Sequence, residues 1–126
     1  MDNQNNKKIV LLIDDEVNLR QLIKIALEAK NYQVETAGNG IEGLAKLETI
    51  KPDLIILDLN MPKMSGLEFY QIICYGGGKP KYPVLVLTAR THMEKLFTSV
   101  SIQGFMAKPF EISELLHTVD TIVQKK

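Results

Sequence analysis

The chain has little cysteine, no excess of charge and no long apolar run, and each of these absences excludes a class of protein. Its 126 residues contain one cysteine, so neither an internal disulfide nor a cysteine-based zinc site can form. Lys plus Arg and Asp plus Glu both number 15, which leaves no net charge to attract nucleic acid or an anionic membrane. No apolar run approaches the roughly 18 residues of a membrane span. The polar start M-D-N-Q-N-N-K-K lacks the apolar core of a signal peptide, so we expect a cytoplasmic protein.

The composition present is that of one ordinary soluble domain, with 45% hydrophobic and 24% charged residues. A chain of this length buries roughly two-thirds of its unfolded surface around a single core. We expect residues 1–7 to form a flexible polar tail and residues 8–126 to form one domain. We expect no separate output domain within these 126 residues.

Strand and helix patterns alternate five times along the chain. The strand runs are too short for helices and are mostly apolar throughout, which is typical of strands buried on both faces of a parallel sheet. The predicted strands are 8–13, 32–37, 54–58, 84–88 and 105–107, and the predicted helices are 16–30, 41–51, 65–74, 91–101 and 111–124. The first helix has Leu19, Leu22, Ile23 and Ala26 at helical spacing, and Asn31 closes it. The pattern predicts an α/β, doubly wound parallel sheet with helices on both faces.

Polar residues end or directly follow four of the five predicted strands, at the edge where ligands bind in open α/β sheets. They are Asp14 and Asp15, then Asp58, Thr88 and Lys108. Three carboxylates that converge repel one another unless a cation lies among them. Hard oxygen ligands suit Mg²⁺, which keeps several waters and favours phosphate oxygens. Three carboxylates, one ammonium and one Mg²⁺ also sum to zero charge.

This set of side chains predicts a phosphoryl-transfer site with Asp58 as the nucleophile. A phosphoryl group on Asp58 would have Mg²⁺ and Lys108 as counter-charges and the Thr88 hydroxyl as a hydrogen-bond donor. Taken alone, each of these residues is more often a helix cap or a solvated side chain. Their combination at these spacings favours the functional interpretation.

From Lys8 onward the chain resembles the receiver domain of two-component response regulators. The resemblance is carried by D-D at residues 14–15, D-x-x-M-P-x-M-x-G at residues 58–66, T-A at residues 88–89 and K-P at residues 108–109. It implies a flavodoxin-like fold with strand order 2-1-3-4-5. It also implies that Asp58 is phosphorylated by a histidine kinase or a histidine phosphotransfer protein.

The resemblance further implies a role for each site residue. Asp15 and Asp58 would bind Mg²⁺ directly, together with the backbone carbonyl of Asn60, while Asp14 would act through water. Lys108 would pair with the phosphoryl group, and Thr88 would turn toward it. Phe105 occupies the aromatic switch position, and family members commonly have a cis peptide such as 108–109.

As a receiver domain, the chain would be a phosphorylation-controlled switch and not an enzyme, although it would catalyse its own phosphoryl transfer and dephosphorylation. Phosphorylation would change the surface formed by the fourth helix, fifth strand and fifth helix. Leu96, Phe97 and Phe105 are the residues that we expect there. The partners would be a kinase or phosphotransfer protein and a downstream effector protein, with a phosphorylation-dependent homodimer as a further possibility and no direct contact with nucleic acid or membrane.

Three alternatives stay open from the sequence. A degenerate receiver would act only as a protein-interaction module, but its acids, Thr88 and Lys108 would not be expected to be intact. A Mg²⁺-dependent aspartyl phosphohydrolase of the haloacid dehalogenase type requires D-x-D-x-T, whereas this chain has D-L-N-M-P at residues 58–62. A flavodoxin-like electron carrier needs a phosphate-cradling loop after the first strand, where this chain has acids.

Overall fold

A five-stranded, fully parallel sheet forms the centre of the protein in the computed structural model, which describes residues 7–59, 64–74, 82–88 and 104–124. The strand order is β2-β1-β3-β4-β5, as predicted. The strands are β1 (Ile9–Ile13), β2 (Gln33–Ala37), β3 (Leu54–Asp58), β4 (Val84–Thr88) and β5 (Gly104–Ala107). All four ladders between neighbouring strands are parallel, so every carboxyl end lies at the same edge.

Four helices connect or follow the strands in the described part of the chain. They are α1 (Val17–Ala29), α2 (Gly40–Leu47), α3 (Gly66–Ile73) and α4 (Ile112–Gln124). The helix predicted at residues 91–101, including Leu96 and Phe97, and the polar start at residues 1–6 lie outside the described residues. Across the described segments, no helix has both the length and the apolar character needed to cross a membrane.

Two apolar clusters lie on opposite faces of the sheet, because successive side chains of a strand point to opposite faces. Leu54 and Ile56 of β3 belong to the cluster that α1 and α4 cover, while Ile55 and Leu57 belong to the cluster that α3 covers. All four are fully buried. Burying each such side chain stabilises the fold by about 1.5–3 kcal/mol. Burial on both faces explains why the sequence of β3 is continuously apolar.

Local sequence signals set the ends of the helices. Asn31 closes α1 with a left-handed φ of 72°, while the Tyr32 N–H donates to the Leu27 carbonyl and the Asn31 N–H to the Glu28 carbonyl. These two bonds are those of a Schellman motif. Ser65 and Glu68 form the predicted capping box at the start of α3.

Two helix predictions were wrong in detail. The second helix ends at Leu47 and not at residue 51, because the Glu48 and Thr49 N–H groups donate to carbonyls three residues back and close the helix in a tight turn. Leu22 does not face the core: it is 50% exposed, and Leu27 is buried instead. The apolar stripe of α1 is therefore wider than the surface that the sheet covers.

Candidate functional site

The carboxyl edge of the sheet brings together the four polar positions that the sequence singled out. Asp58 is the last residue of β3, which lies between β1 and β4. Asp14 follows β1, Thr88 ends β4, and Lys108 follows β5. Asp14 and Thr88 are fully buried and Asp58 is 2% exposed. The backbone itself joins two of these positions, since the Lys108 N–H donates to the Thr88 carbonyl at 2.8 Å.

Lys108 forms a bridge between the two buried acids. Its Nζ lies 3.0 Å from Asp14 Oδ2 and 3.6 Å from Asp58 Oδ2. Burial lowers the pKa of the ammonium, but the hydrogen bond to Asp14 and the charges of Asp14, Asp58 and Glu16 outweigh it, so the pKa is raised. Lys108 therefore stays charged and supplies one fixed positive charge at the Asp58 carboxylate.

Asp14, Asp15 and Asp58 form a cluster that fits a hard cation. Each offers a carboxylate oxygen, and the three oxygens lie within 4.8 Å of one another. Asp15 is exposed while the other two are buried, so the cluster opens to solvent on one side. Three oxygen donors with room for water are the donor set that suits Mg²⁺. Lys108 offsets one of the three charges, and a bound divalent cation would offset the other two.

Gly66 is the last residue of the D-x-x-M-P-x-M-x-G pattern, and its surroundings explain why it is a glycine. A Cβ at this position would lie 2.3 Å from the Asp58 carbonyl oxygen and 2.7 Å from the Leu59 Cα. The Gly66 N–H also donates to the Leu59 carbonyl at 3.2 Å. The start of α3 therefore packs directly on the backbone that carries Asp58, and only glycine leaves room for this approach.

Arg20, the fourth residue of α1, also belongs to this region and was not predicted from the sequence. Its Nη1 donates to the backbone carbonyl of Asp14 at 2.7 Å. A signal was available, since a cation near a helix N-terminus is unfavourable with the helix dipole and indicates another use.

The sequence also predicted a cis peptide at residues 108–109, a switch role for Phe105 and a metal-binding carbonyl at Asn60. The peptide between Lys108 and Pro109 is cis, as in the family that the chain resembles. Phe105 is half-buried in β5, pairs with Val86 and packs against the cluster beneath α3. Its role as a switch stays a prediction. The backbone carbonyl of Asn60, predicted as a metal ligand, lies outside the described residues.

Comparison with protein families gives one match over most of the chain. The family described as "Response regulator receiver domain" matches residues 10–120. Among curated proteins, the chain is 38% identical to the alkaline phosphatase synthesis transcriptional regulatory protein PhoP of Bacillus subtilis, over 95% of this chain and 50% of that protein. It is 33% identical to hybrid signal transduction histidine kinase D of Dictyostelium discoideum, over 99% of this chain and 8% of that protein. The chain thus spans half or less of the length of these relatives.

Solved structures give the same result and match over nearly their full length. The chemotaxis response regulator CheY4 of Vibrio cholerae is 36% identical with a TM-score of 0.82, covering 92% of this chain and 98% of that one. The response regulator TrrA of Thermotoga maritima, solved with Mg²⁺ and BeF, is 35% identical with a TM-score of 0.80, covering 91% and 98%. The five-stranded fold and its order are therefore those of known response regulators.

Proposed function

This chain belongs to the family of response regulator receiver domains, the phosphorylation-controlled switches of two-component signalling, and on that premise we propose that Asp58 is its phosphoacceptor. The observation that carries the proposal is the pairing of the buried Asp58 carboxylate with the Lys108 ammonium at 3.6 Å, next to a cluster of two further acids. The donor is a phosphohistidine of a kinase or phosphotransfer protein, and the setting is the cytoplasm. The chain is a signalling domain and not a conventional enzyme.

In the proposed reaction, a carboxylate oxygen of Asp58 attacks the phosphorus of the donor, and the bond from phosphorus to the histidine nitrogen breaks. Lys108 pairs with an oxygen of the transferred group, because its ammonium already lies beside Asp58. Thr88, at the end of the neighbouring strand, turns its hydroxyl toward the same group. Asp15 and Asp58 would hold Mg²⁺ directly, with Asp14 acting through water, and the ion would neutralise charge on the phosphoryl oxygens. Water hydrolyses the acyl phosphate later, in the domain's own dephosphorylation.

Phosphorylation would change the balance of charge around Lys108, the residue that follows β5. It adds about one to two negative charges at Asp58, which draws Lys108 away from its 3.0 Å contact with Asp14. Because the Lys108 N–H also binds the Thr88 carbonyl, a shift of Lys108 is coupled to the end of β4. Phe105 lies three residues before Lys108 on the same strand. We therefore place the surface that a downstream effector protein reads around β5 and the segments beside it.

Removal of divalent cation tests the proposed chemistry. We expect the protein, incubated with a small phosphodonor such as acetyl phosphate and Mg²⁺, to gain one phosphoryl group. With EDTA in place of Mg²⁺ the adduct should be absent, because three carboxylates and one ammonium repel an incoming phosphoryl dianion. Intact-mass spectrometry measures both. Phosphorylation of the same extent in EDTA would contradict the role of the acid cluster.

The outer face of α1 is where we propose that the phosphodonor protein docks. Val17, Leu22 and Ile25 are 53%, 50% and 66% exposed, and Asn18 and Gln21 beside them are exposed and uncharged. A cleft of about 350 Å³ lies beside this face and is lined by Lys108 of the site together with Glu16, Leu19, Leu22, Pro109, Phe110 and Ile112. A donor histidine must reach Asp58 at this edge of the sheet. An uncharged helix face next to that edge fits a helical donor.

Leu22→Asp separates docking from chemistry. We expect it to slow phosphoryl transfer from a histidine-phosphorylated kinase or phosphotransfer protein by about tenfold or more, because a charge then faces an apolar contact. Phosphorylation by acetyl phosphate should be unchanged. The matched control is Ile72→Asp on α3, where the original side chain is 48% exposed. Equal losses for both variants, or a loss with acetyl phosphate as well, would argue against docking on α1.

A further inference from the structure

Every polar group of Asp14, in its main chain and its side chain, has a hydrogen-bond partner. Its N–H donates to the Ala37 carbonyl at 3.1 Å, and its carbonyl accepts from Arg20 Nη1 at 2.7 Å. Its Oδ1 accepts from the Glu16 N–H at 2.9 Å, and its Oδ2 accepts from Lys108 Nζ at 3.0 Å. The peptide that follows this residue carries Asp15, the exposed acid of the cluster. The carbonyl contact is the one that acts directly on that peptide.

The stability of α1 gives no reason for an arginine at position 20. It lies one turn into α1, where a positive charge opposes the positive end of the helix dipole, and the first turn of this helix holds no acidic residue. An arginine there weakens the helix unless its charge is used elsewhere. Here the charged guanidinium donates a hydrogen bond to the Asp14 carbonyl. Hydrogen bonds from an ionised donor are short and strong.

Gly38 supplies the room for this contact. A Cβ on Gly38 would lie 3.3 Å from Arg20 Nη1, which is closer than ordinary packing, and 3.5 Å from Glu42 Oε1. The φ of Gly38 is outside the left-handed region, so the backbone conformation does not require glycine here. The Gly38 N–H donates to Glu42 Oε1 at 2.8 Å, which fixes the turn after β2. The guanidinium therefore lies between this turn and the loop after β1.

We propose that Arg20 is a positioning residue that fixes the Asp14–Asp15 peptide for divalent-cation binding, and that the lack of a side chain at Gly38 leaves room for its guanidinium. This inference rests on the proposed function, because it concerns the same acid cluster. Arg20 has two opposite effects on the affinity for Mg²⁺, and their balance distinguishes positioning from simple electrostatics. Its positive charge repels a cation, so removing the charge alone should strengthen Mg²⁺ binding. Loss of the contact that positions the Asp14–Asp15 peptide should weaken Mg²⁺ binding.

Arg20→Met tests which effect is larger. We expect its Kd for Mg²⁺ to rise about tenfold, the lower end of what loss of an outer-shell contact causes at metal sites. Arg20→Lys, which keeps a charged donor, should recover part of the affinity. The chain contains no tryptophan, so the binding is followed by titrating MgCl₂ into ¹⁵N-labelled protein and recording amide shifts. Thermal unfolding first establishes that each variant is folded at the temperature used.

Two further variants complete the test. Lys24→Met removes the same charge from the same helix, at a residue paired with Glu28 on the surface, and should leave the Kd unchanged or slightly lower. Gly38→Ala should raise the Kd by less than Arg20→Met does, since a methyl group 3.3 Å from Arg20 Nη1 makes the guanidinium shift by only a few tenths of an ångström. A Kd for Arg20→Met at or below that of the wild type overturns the inference, as does an equal shift in Lys24→Met. A wild-type protein that binds no Mg²⁺ overturns the proposed function itself.

Discussion

Asp58→Asn is expected to remove phosphoryl uptake completely, from both a histidine-phosphorylated protein and acetyl phosphate. Asn has nearly the shape of Asp, so the packing at the end of β3 is kept. Its amide, however, is not a nucleophile and offers no second anionic oxygen to a cation. Intact-mass spectrometry after incubation with the donor and Mg²⁺ measures the result. We expect no adduct on the variant and one on the wild type.

Asp53→Asn is the matched control for this experiment, because β3 has an acid at each end. Asp53 precedes the strand, and its Oδ2 accepts a hydrogen bond from the Ile9 N–H at 2.8 Å. It lies at the opposite edge of the sheet from the site, so its variant should still take up one phosphoryl group. An adduct that persists on Asp58→Asn would place the acceptor elsewhere. No adduct on either the wild type or the control would favour a receiver fold that is retained only for protein contacts.

Gly66→Ala is expected to destabilise the protein by about 3 kcal/mol, the upper part of the range for overpacking a closely packed position. The sign of the change in the free energy of unfolding is informative, because alanine in place of glycine within a helix ordinarily stabilises a protein by roughly 0.5–1 kcal/mol. The new methyl group would lie 2.3 Å from a backbone oxygen, which cannot rotate away as a side chain can. Urea unfolding followed by circular dichroism measures the free energy of unfolding. The same variant should phosphorylate more slowly, since the backbone that must move carries Asp58.

Gly43→Ala gives the comparison for Gly66→Ala. A Cβ at Gly43 would lie 2.6 Å from Ile13 Cδ1 and 3.0 Å from Phe69 Cε1, so it also meets close neighbours. These atoms belong to side chains that can change rotamer, so the loss of stability should be smaller. Phosphoryl uptake should stay at the wild-type rate, because the contact lies in the core and not at Asp58. Equal loss of stability in both variants would mean that the backbone at Asp58 has room to adjust.

Much of the fold was predictable because the central strands β3 and β4 are buried on both faces, which makes their sequences continuously apolar. The continuous run at residues 54–57 and the alternation of short and long patterns were sufficient for the parallel sheet. The error at Leu22 has a physical cause: helical spacing identifies apolar positions but not how much of the stripe the sheet covers. The early end of α2 was missed because its tight closing turn depends on backbone bonds of Glu48 and Thr49.

The polar positions at the sheet edge were predictable for a different reason. In a parallel sheet, the residues at the carboxyl end of every strand lie at the same edge, regardless of the helices that connect the strands. Asp58, Thr88 and Lys108 could therefore be grouped without knowledge of any distance. Arg20 could not be found in this way, because its contact runs backward from within a helix to a carbonyl six residues earlier. Gly66 was recognised as part of a pattern, but its reason is a backbone approach that only the structure reveals.

The parallel pairing also has a consequence for how the protein becomes active after synthesis. Every ladder joins strands that are separated by a crossover, and the contact between Lys108 and Asp14 spans 94 positions of the chain. Such long-range contacts close late and fold slowly in comparison with local ones. Asp58, the acid pair at residues 14–15 and Lys108 come from three different strand ends. A chain with one strand undocked would therefore lack the proposed site, so we expect only completely folded molecules to be phosphorylated.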